Sequence, residues 1–452
     1  MNSETTPSAG GLRKTAGWVH LWALGVGGVI SGNYFGWQTG LLAGGFGGLL
    51  LATLAIAVMY ICLVLSIAEL SAALPDAGGF YNFTRAAFGK DRAFLNGVSD
   101  TIEYVTTPAV IVSGIAGYMK ALVPGPPDWV WWVAFYVFFV AINILGAEMS
   151  FGVSMAITVA AAAVLFIFYA GVVGTGVFAW QNAMNIAPDP GATEFLPKGW
   201  YGVFAALPYA VWFYLAIEQL PLSAEESQDV ARDMPKALIY GMASLLVLSC
   251  GTLILNSGIP GGAEAVGKSA APLELGFQTV FGGRATSTLL SIVSLTGLVA
   301  SFHAIVYAYG RLLFALARAG YFPAWLAKLN HRAVPGRALA AGGVAGVALC
   351  FLAQQYSSSV GAALLNMAVF GALISYILVL VSFIRLRVDK PELPRPYRSP
   401  LGIPGAAAGI AMGLVTLAAT FAIPAFRPGV TGTVLFIVAM LAYYGLYRRQ
   451  HV

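Results

Sequence analysis

Residues 25–37 read GVGGVISGNYFGW, a run in which five glycines surround Ser31, Asn33 and Tyr34. Each glycine weakens a helix by about 1 kcal/mol relative to alanine. The run therefore predicts an interrupted helix whose backbone groups are open to a ligand. It lies inside an uncharged apolar stretch from 17 to 43, long enough to cross a bilayer core of about 30 Å. At that depth irregular backbone survives only where protein buries it or where it lines a cavity.

The rest of the chain repeats the apolar pattern. Of 452 residues, 59% are hydrophobic and 10% charged, against roughly 25% charged in soluble domains. Twelve predominantly apolar runs follow one another, at 17–43, 46–73, 94–122, 129–147, 151–179, 200–222, 237–256, 285–316, 338–355, 359–386, 403–424 and 430–447. This predicts an all-α polytopic membrane protein with twelve transmembrane helices. It divides into a polar tail over 1–16, helices one to six over 17–222, helices seven to ten over 237–386, two more over 403–447, and a second tail over 448–452. The first run is too long for a signal peptide and lacks a small-residue cleavage site, so it reads as a retained helix.

Lysines and arginines set the expected orientation, because basic loops stay cytoplasmic. With the N-terminus inside, 19 of the 24 basic residues fall inside and Lys120, Lys198, Lys268, Arg284 and Arg427 outside. Both termini are thus expected in the cytoplasm, with the chain in the cell (inner) membrane. The basic residues are spread over six cytoplasmic segments, so the net charge of +5 reflects topology and not a nucleic-acid partner.

Chemistry-bearing motifs are few. Cys62, Cys250 and Cys350 stand alone in apolar runs, and His20, His303, His331 and His451 are too scattered for a metal site. No cofactor or metal is expected. Gly262, Gly267, Lys268 and Ser269 match the phosphate-loop spacing G-x-x-x-x-G-K-S, which needs a strand before it and a helix after it. Here it falls in an outward loop between the seventh and eighth helices, away from cellular ATP, and is read as chance in a Gly-rich chain.

The sixth run is the second interrupted one. It carries Pro208, Trp212, Phe213, Tyr214, Glu218 and Pro221, and each proline removes a helix hydrogen bond. If the chain is built as two inverted five-helix repeats, the first and sixth helices correspond, and the substrate site lies between them at mid-membrane. Among acidic residues in or beside apolar runs, Glu69 and Glu148 lie near cytoplasmic ends and read as caps or ion-pair members. Asp100 and Glu103 share one face of the third helix, three residues apart, with Thr107 and Pro108 a turn beyond. A buried carboxylate without a nearby Lys or Arg is protonated or takes its cation from elsewhere. A cationic substrate would supply one, with Tyr34, Phe35, Trp37, Tyr104, Trp212, Phe213 and Tyr214 as candidate aromatic walls.

Three stretches then carry a family resemblance: AELSAALPDAGGFYNFTRAAFG (68–89), AEESQDVARDMPKAL (224–238) and YGRLLFALARAGYFPAWLAKLNHRAVP (309–335). They resemble signature stretches of the amino acid-polyamine-organocation superfamily of secondary transporters, over nearly the whole chain. VISGNYFGW (29–37), GGFGGLLLATLAIAVMYICLVLSIAEL (44–70) and TIEYVTTPAVIVSGIAGYM (101–119) look most like its ethanolamine permease group. The resemblance implies ten helices in two inverted repeats plus two more, with alternating access around helices one and six.

The resemblance also implies roles. It places Ser31, Gly32 and Asn33 at the first-helix break, Trp212 as a gating aromatic, Glu218 as a proton-sensing glutamate, and Glu103 and Tyr104 along the pocket. Phe302 and His303 follow on the eighth helix by a looser alignment. A lysine that some proton-coupled relatives carry in the fifth helix is missing, since 151–179 has no basic residue. The function expected is import of ethanolamine by a secondary transporter, its ammonium on Glu103 between Tyr34, Trp212 and Tyr214, its hydroxyl on the backbone around Ser31 to Asn33. The alternative is a permease for amino acids, choline or other amines of the same superfamily. Coupling to protons through Glu218, Asp100 or Glu103 is compatible with the residues, as is uniport. Membrane lipid is the other expected partner. An enzyme is disfavoured, because His303 has no second His or paired Cys at membrane depth.

Overall fold

In the computed structural model, which describes residues 12–282, 284–356 and 360–448, the regular structure of the described residues is helical apart from one isolated β-bridge. The first span is α1 (Trp18–Val29), a tight turn over Ile30–Asn33, and the first residues of α2 (Thr39–Ala73). Gly45, at φ 72°, interrupts α2, so the residues before it complete the first span and those after it form the second. A side chain at Gly45 would also strike the ring of Pro197, so glycine is required here for both conformation and space.

A short helix, α3 (Phe80–Phe88), leads into α4 (Lys90–Leu122), α5 (Asp128–Ile144) and α6 (Ala147–Thr175), which are spans three to five. After the one-turn α7 (Trp180–Ala183), the sixth span runs as α8 (Gly199–Val211) and continues into a narrow 3₁₀ helix, Ile217–Glu226. The seventh is α9 (Val230–Ser257), followed by two short helices, α10 (Gly262–Lys268) and α11 (Pro272–Phe281). Spans eight to twelve are α12 (Arg284–Arg318), α13 (Gly336–Tyr356), α14 (Val360–Asp389), α15 (Gly402–Ala422) and α16 (Arg427–Tyr443). The fold class expected from the apolar runs is the one found.

Eight helices among the described residues are long and apolar enough to cross a membrane unaided. Four of the twelve spans are absent from that set: the first and sixth, whose breaks cut them short, α5, which has only 17 residues, and α4, which carries Asp100 and Glu103. Burial orders the bundle: 94% of an apolar 18-residue window within Leu295–Arg318 of α12 is buried, against 22% of the one within Pro424–Leu446. The eighth span is therefore central and the twelfth peripheral. Small residues let neighbouring helices approach closely; Gly44 on α2 faces Gly202 on α8 so closely that a methyl group would lie 2.6 Å from the Gly202 carbonyl oxygen.

At one end, the chain just before α1 is tied to the sixth span. Thr15 and Ala16 donate their N–H groups to the Glu226 carbonyl (2.9 and 3.0 Å), and Gln228 N–H returns to Ala16 O at 2.9 Å. Ala16 and Ser227 thus form the parallel bridge.

Candidate functional site

The two breaks meet backbone to backbone. Gly32 faces the Trp212 carbonyl so closely that any side chain would collide with it, and with Phe213 Cα at 3.3 Å. Gly36, at φ 95°, faces the edge of the Trp212 indole, where a Cβ would lie 2.6 Å from Nε1. Trp212 packs edge-on to Phe35 (6.1 Å between centroids) and Trp37 stacks on Phe213 (5.4 Å). These aromatic pairs connect the part of the first span beyond its break with the break of the sixth. Ala216, a non-glycine residue held at φ 88°, marks where the sixth span changes course. Its N–H donates to Glu218 Oε1 at 2.8 Å, so the carboxyl of the next turn caps the interruption.

Glu218 is one member of a buried polar set. Tyr376 on α14 donates its hydroxyl to Glu218 Oε1 (2.5 Å) and approaches Glu103 Oε1 (3.4 Å) on α4. Tyr60 on α2 reaches the Tyr376 hydroxyl at 3.1 Å. One turn from Glu103, the Ser375 hydroxyl donates to Asp100, and Asn96 Nδ2 donates to Ser375 Oγ at 3.2 Å. All three acids are at most 1% exposed. Glu103 and Glu218 also lie within hydrogen-bonding distance of each other, and neither Oε2 meets another donor among the described residues. Arg311, a fully buried guanidinium, cannot neutralise them, because it is bound to Glu226 at 2.9 Å. Two carboxyl groups at one hydroxyl, taken out of water without a guanidinium or ammonium, require a proton or a ligand cation.

The expected site residues divide into those that gather here and those that do not. Tyr104 is buried next to Glu103 on α4. Tyr214 joins from the sixth span, its ring 5.5 Å from Tyr60 and its hydroxyl 2.8 Å from Ser249 Oγ. Asn33 accepts from Thr252 (3.2 Å) while its Nδ2 has no partner, and Trp212 Nε1 has none either. Ser31 N–H is already taken by Ser301 Oγ at 2.9 Å, and Ser301 in turn donates to Gly27 O at 2.7 Å.

Tyr34, Phe302 and His303 lie elsewhere. Tyr34 turns its hydroxyl to Ala161 O on α6 (2.8 Å), with its ring pressed against Gly297. Phe302 packs edge-on to Tyr136 and Phe139 of α5 at 4.8 and 5.7 Å. His303 bridges Asn143 at 3.2 Å and the Ser150 carbonyl at 2.9 Å, joining α5 to α6. The eighth helix presents these two residues to α5 and α6, so they hold the scaffold together instead of facing Glu103.

Glu69 pairs with Arg387 (2.5 Å) and Arg395 (3.0 Å) and accepts from Ser399 N–H, the ion-pair role its position suggested. Gly262–Lys268 is a short helix, preceded by no strand, so the phosphate-loop spacing has no phosphate-loop structure. Tyr376, Ser375 and Tyr60 were not singled out by sequence reading. The available signal was a Ser-Tyr pair in the tenth run, whose partners are 158 to 316 residues away.

The family described as "Amino acid permease" matches residues 20–448. An uncharacterised amino acid permease of Bacillus subtilis is 26% identical over 88% of this chain and 87% of its own length. The branched-chain amino acid permease of the same bacterium is 25% identical, covering 97% and 94%. Among solved structures, the Eremococcus coleocola manganese transporter superposes with a TM-score of 0.59 at 15% identity, over 95% of both chains. That likeness is one of fold.

Proposed function

We propose that this chain, which belongs to the amino acid permease family, imports a small primary amine of the ethanolamine type across the inner membrane by alternating access, with both termini in the cytoplasm. The observation that carries the amine reading is the convergence of Glu103 and Glu218 on each other and on Tyr376, with no basic side chain among the described residues paired to either. A substrate ammonium can take the place of a proton shared by the two carboxyls, donating to both. The free donors, Asn33 Nδ2 and Trp212 Nε1, belong to the two breaks and suit the hydroxyl end. A zwitterion would also need a positive partner for its carboxylate, and the Ser31 N–H at the first break is already engaged.

A second reading is supported by the relatives: a permease for amino acids, with the carboxylate bound at the first break after Ser31 exchanges Ser301 for substrate. Either substrate enters as the first and sixth spans rock together. A monocation moving into a negative cell gains about 2.3 kcal/mol per 100 mV, which is enough for uptake without a coupling ion. Asp100, Glu103 and Glu218 form the acidic path through which a proton would be coupled.

Uptake into proteoliposomes holding the purified chain tests this, with radiolabelled ethanolamine competed by alanine, leucine, choline and putrescine. Ethanolamine should be accumulated and Glu103→Gln should lower uptake at least tenfold, while Tyr376→Phe raises KM. Accumulation of leucine or alanine with ethanolamine inert would replace the amine reading by the amino acid one.

A further inference from the structure

A cavity of about 690 Å³, separate from the carboxyl site, opens where the segment before α1 meets the start of α6 and the loop before α13. Its lining divides by chemistry. Arg13, Thr15 and Arg332 form a polar mouth with Glu148, while Met149, Gly152, Val153 and Ala156 of α6 form an apolar floor. Gly152 and Ala156 are exposed, as is Met149, so that floor continues onto the surface α6 turns to the bilayer. Arg332 is fixed by donating to Leu145 O at 2.6 Å. No ion pair or hydrogen bond among the described residues engages Arg13, and the Thr15 hydroxyl also lacks a partner. Two guanidinium groups against one carboxylate leave the mouth with a net positive charge.

We propose that this cavity binds an anionic phospholipid of the cytoplasmic leaflet, its phosphate between Arg13 and Arg332 and an acyl chain along Met149, Gly152, Val153 and Ala156. The leaflet rests on the orientation set by the basic residues; the chemistry does not. Guanidinium groups bind phosphate through paired hydrogen bonds, and basic pockets between membrane helices take anionic headgroups. A free phosphate would satisfy the mouth but leave the apolar floor uncovered, and a zwitterionic lipid would bring its own cation to the two arginines. The location gives the lipid a consequence for transport. Thr15 is hydrogen-bonded through its backbone to Glu226 of the sixth span, whereas α6 and the loop before α13 belong to the surrounding helices. A lipid bridging them restrains the sixth span against its frame.

Thermal melting of the purified full-length chain tests the site, with added phosphatidylglycerol, phosphatidylcholine or glycerol phosphate. Phosphatidylglycerol should raise Tm in a saturable way, the other two should not, and Arg13→Gln should weaken the apparent affinity at least tenfold. Arg13 makes no contact that folding depends on, so this variant separates binding from folding. Glu148→Gln, which removes the opposing charge, should tighten it. Equal stabilisation by phosphatidylcholine, an equal shift with glycerol phosphate, or an unchanged affinity in Arg13→Gln would each overturn the proposal. None of these outcomes depends on which substrate the transporter carries.

Discussion

Gly32 shows how much one missing side chain can decide. Its contact with the Trp212 carbonyl allows the two interrupted spans to touch, and a methyl group there must push them apart. Overpacking of this kind costs about 1 to 3 kcal/mol. Gly32→Ala should therefore lower the melting temperature and abolish uptake. Gly117→Ala on α4, where a Cβ meets open space, should leave both unchanged. Nearly neutral uptake in Gly32→Ala would show that the breaks separate easily. At this scale the residue types were legible: glycine beside polar residues at mid-span, and acids three apart on one helix. The direction of each side chain was not. Tyr34 looks in sequence like part of a binding wall, yet its hydroxyl is used by Ala161, because rotation about a broken helix is set by its neighbours.

The interrupted sixth span is held at its far end by two layers of charge. Glu226 and Arg311 are both fully buried, bonded at 2.9 and 3.2 Å, with Tyr307 donating to Glu226 and its ring 3.7 Å beneath the guanidinium. Breaking a buried pair from one side strands the other charge, at about 3 to 5 kcal/mol. Arg311→Met alone should thus destabilise strongly, and Arg311→Met with Glu226→Gln should recover much of the loss, which melting curves would show. No recovery in the double variant would mean that Arg311 acts through packing on Tyr307. The second layer lies past the end of the apolar run 200–222 and is half-exposed: Arg318 binds Glu225 at 2.5 Å and reaches Asp76 at 3.5 Å. Burial alone would raise the Glu225 carboxyl, but hydrogen bonds and the positive charge of Arg318 hold it below its ordinary value of 4.5. A carboxyl lowered on folding adds stability that is present above its unfolded pKa and lost as pH falls through the folded one. Melting temperature should therefore be insensitive to Glu225→Gln below the ordinary carboxylate range, and lower in the variant than in the wild type at pH 6 to 7. An equal loss at both pH values would rule out the charge as the cause. Sequence alone placed Glu225 and Glu226 in a cytoplasmic signature stretch, but their partners lie 93 and 85 positions away.

Across the whole molecule, a ligand that binds only the folded chain stabilises it by about 2.7 kcal/mol at one hundred times its Kd. Ethanolamine should raise the melting temperature of the wild type and leave that of Glu103→Gln unmoved, whereas a shift retained in the variant would move the anchor to Glu218. The element plan needed no tertiary information. Apolar runs about as long as the bilayer is thick, together with glycine and proline at two of them, determined twelve spans and which two are broken, because the bilayer demands internally satisfied backbone from each segment separately. Which buried acids share a hydroxyl, and that Phe302 and His303 turn to α5 and α6, were decided only when the helices packed. Those contacts join residues more than 100 positions apart, and helix rotation about its own axis is settled by the neighbours it meets, not by the order of its residues.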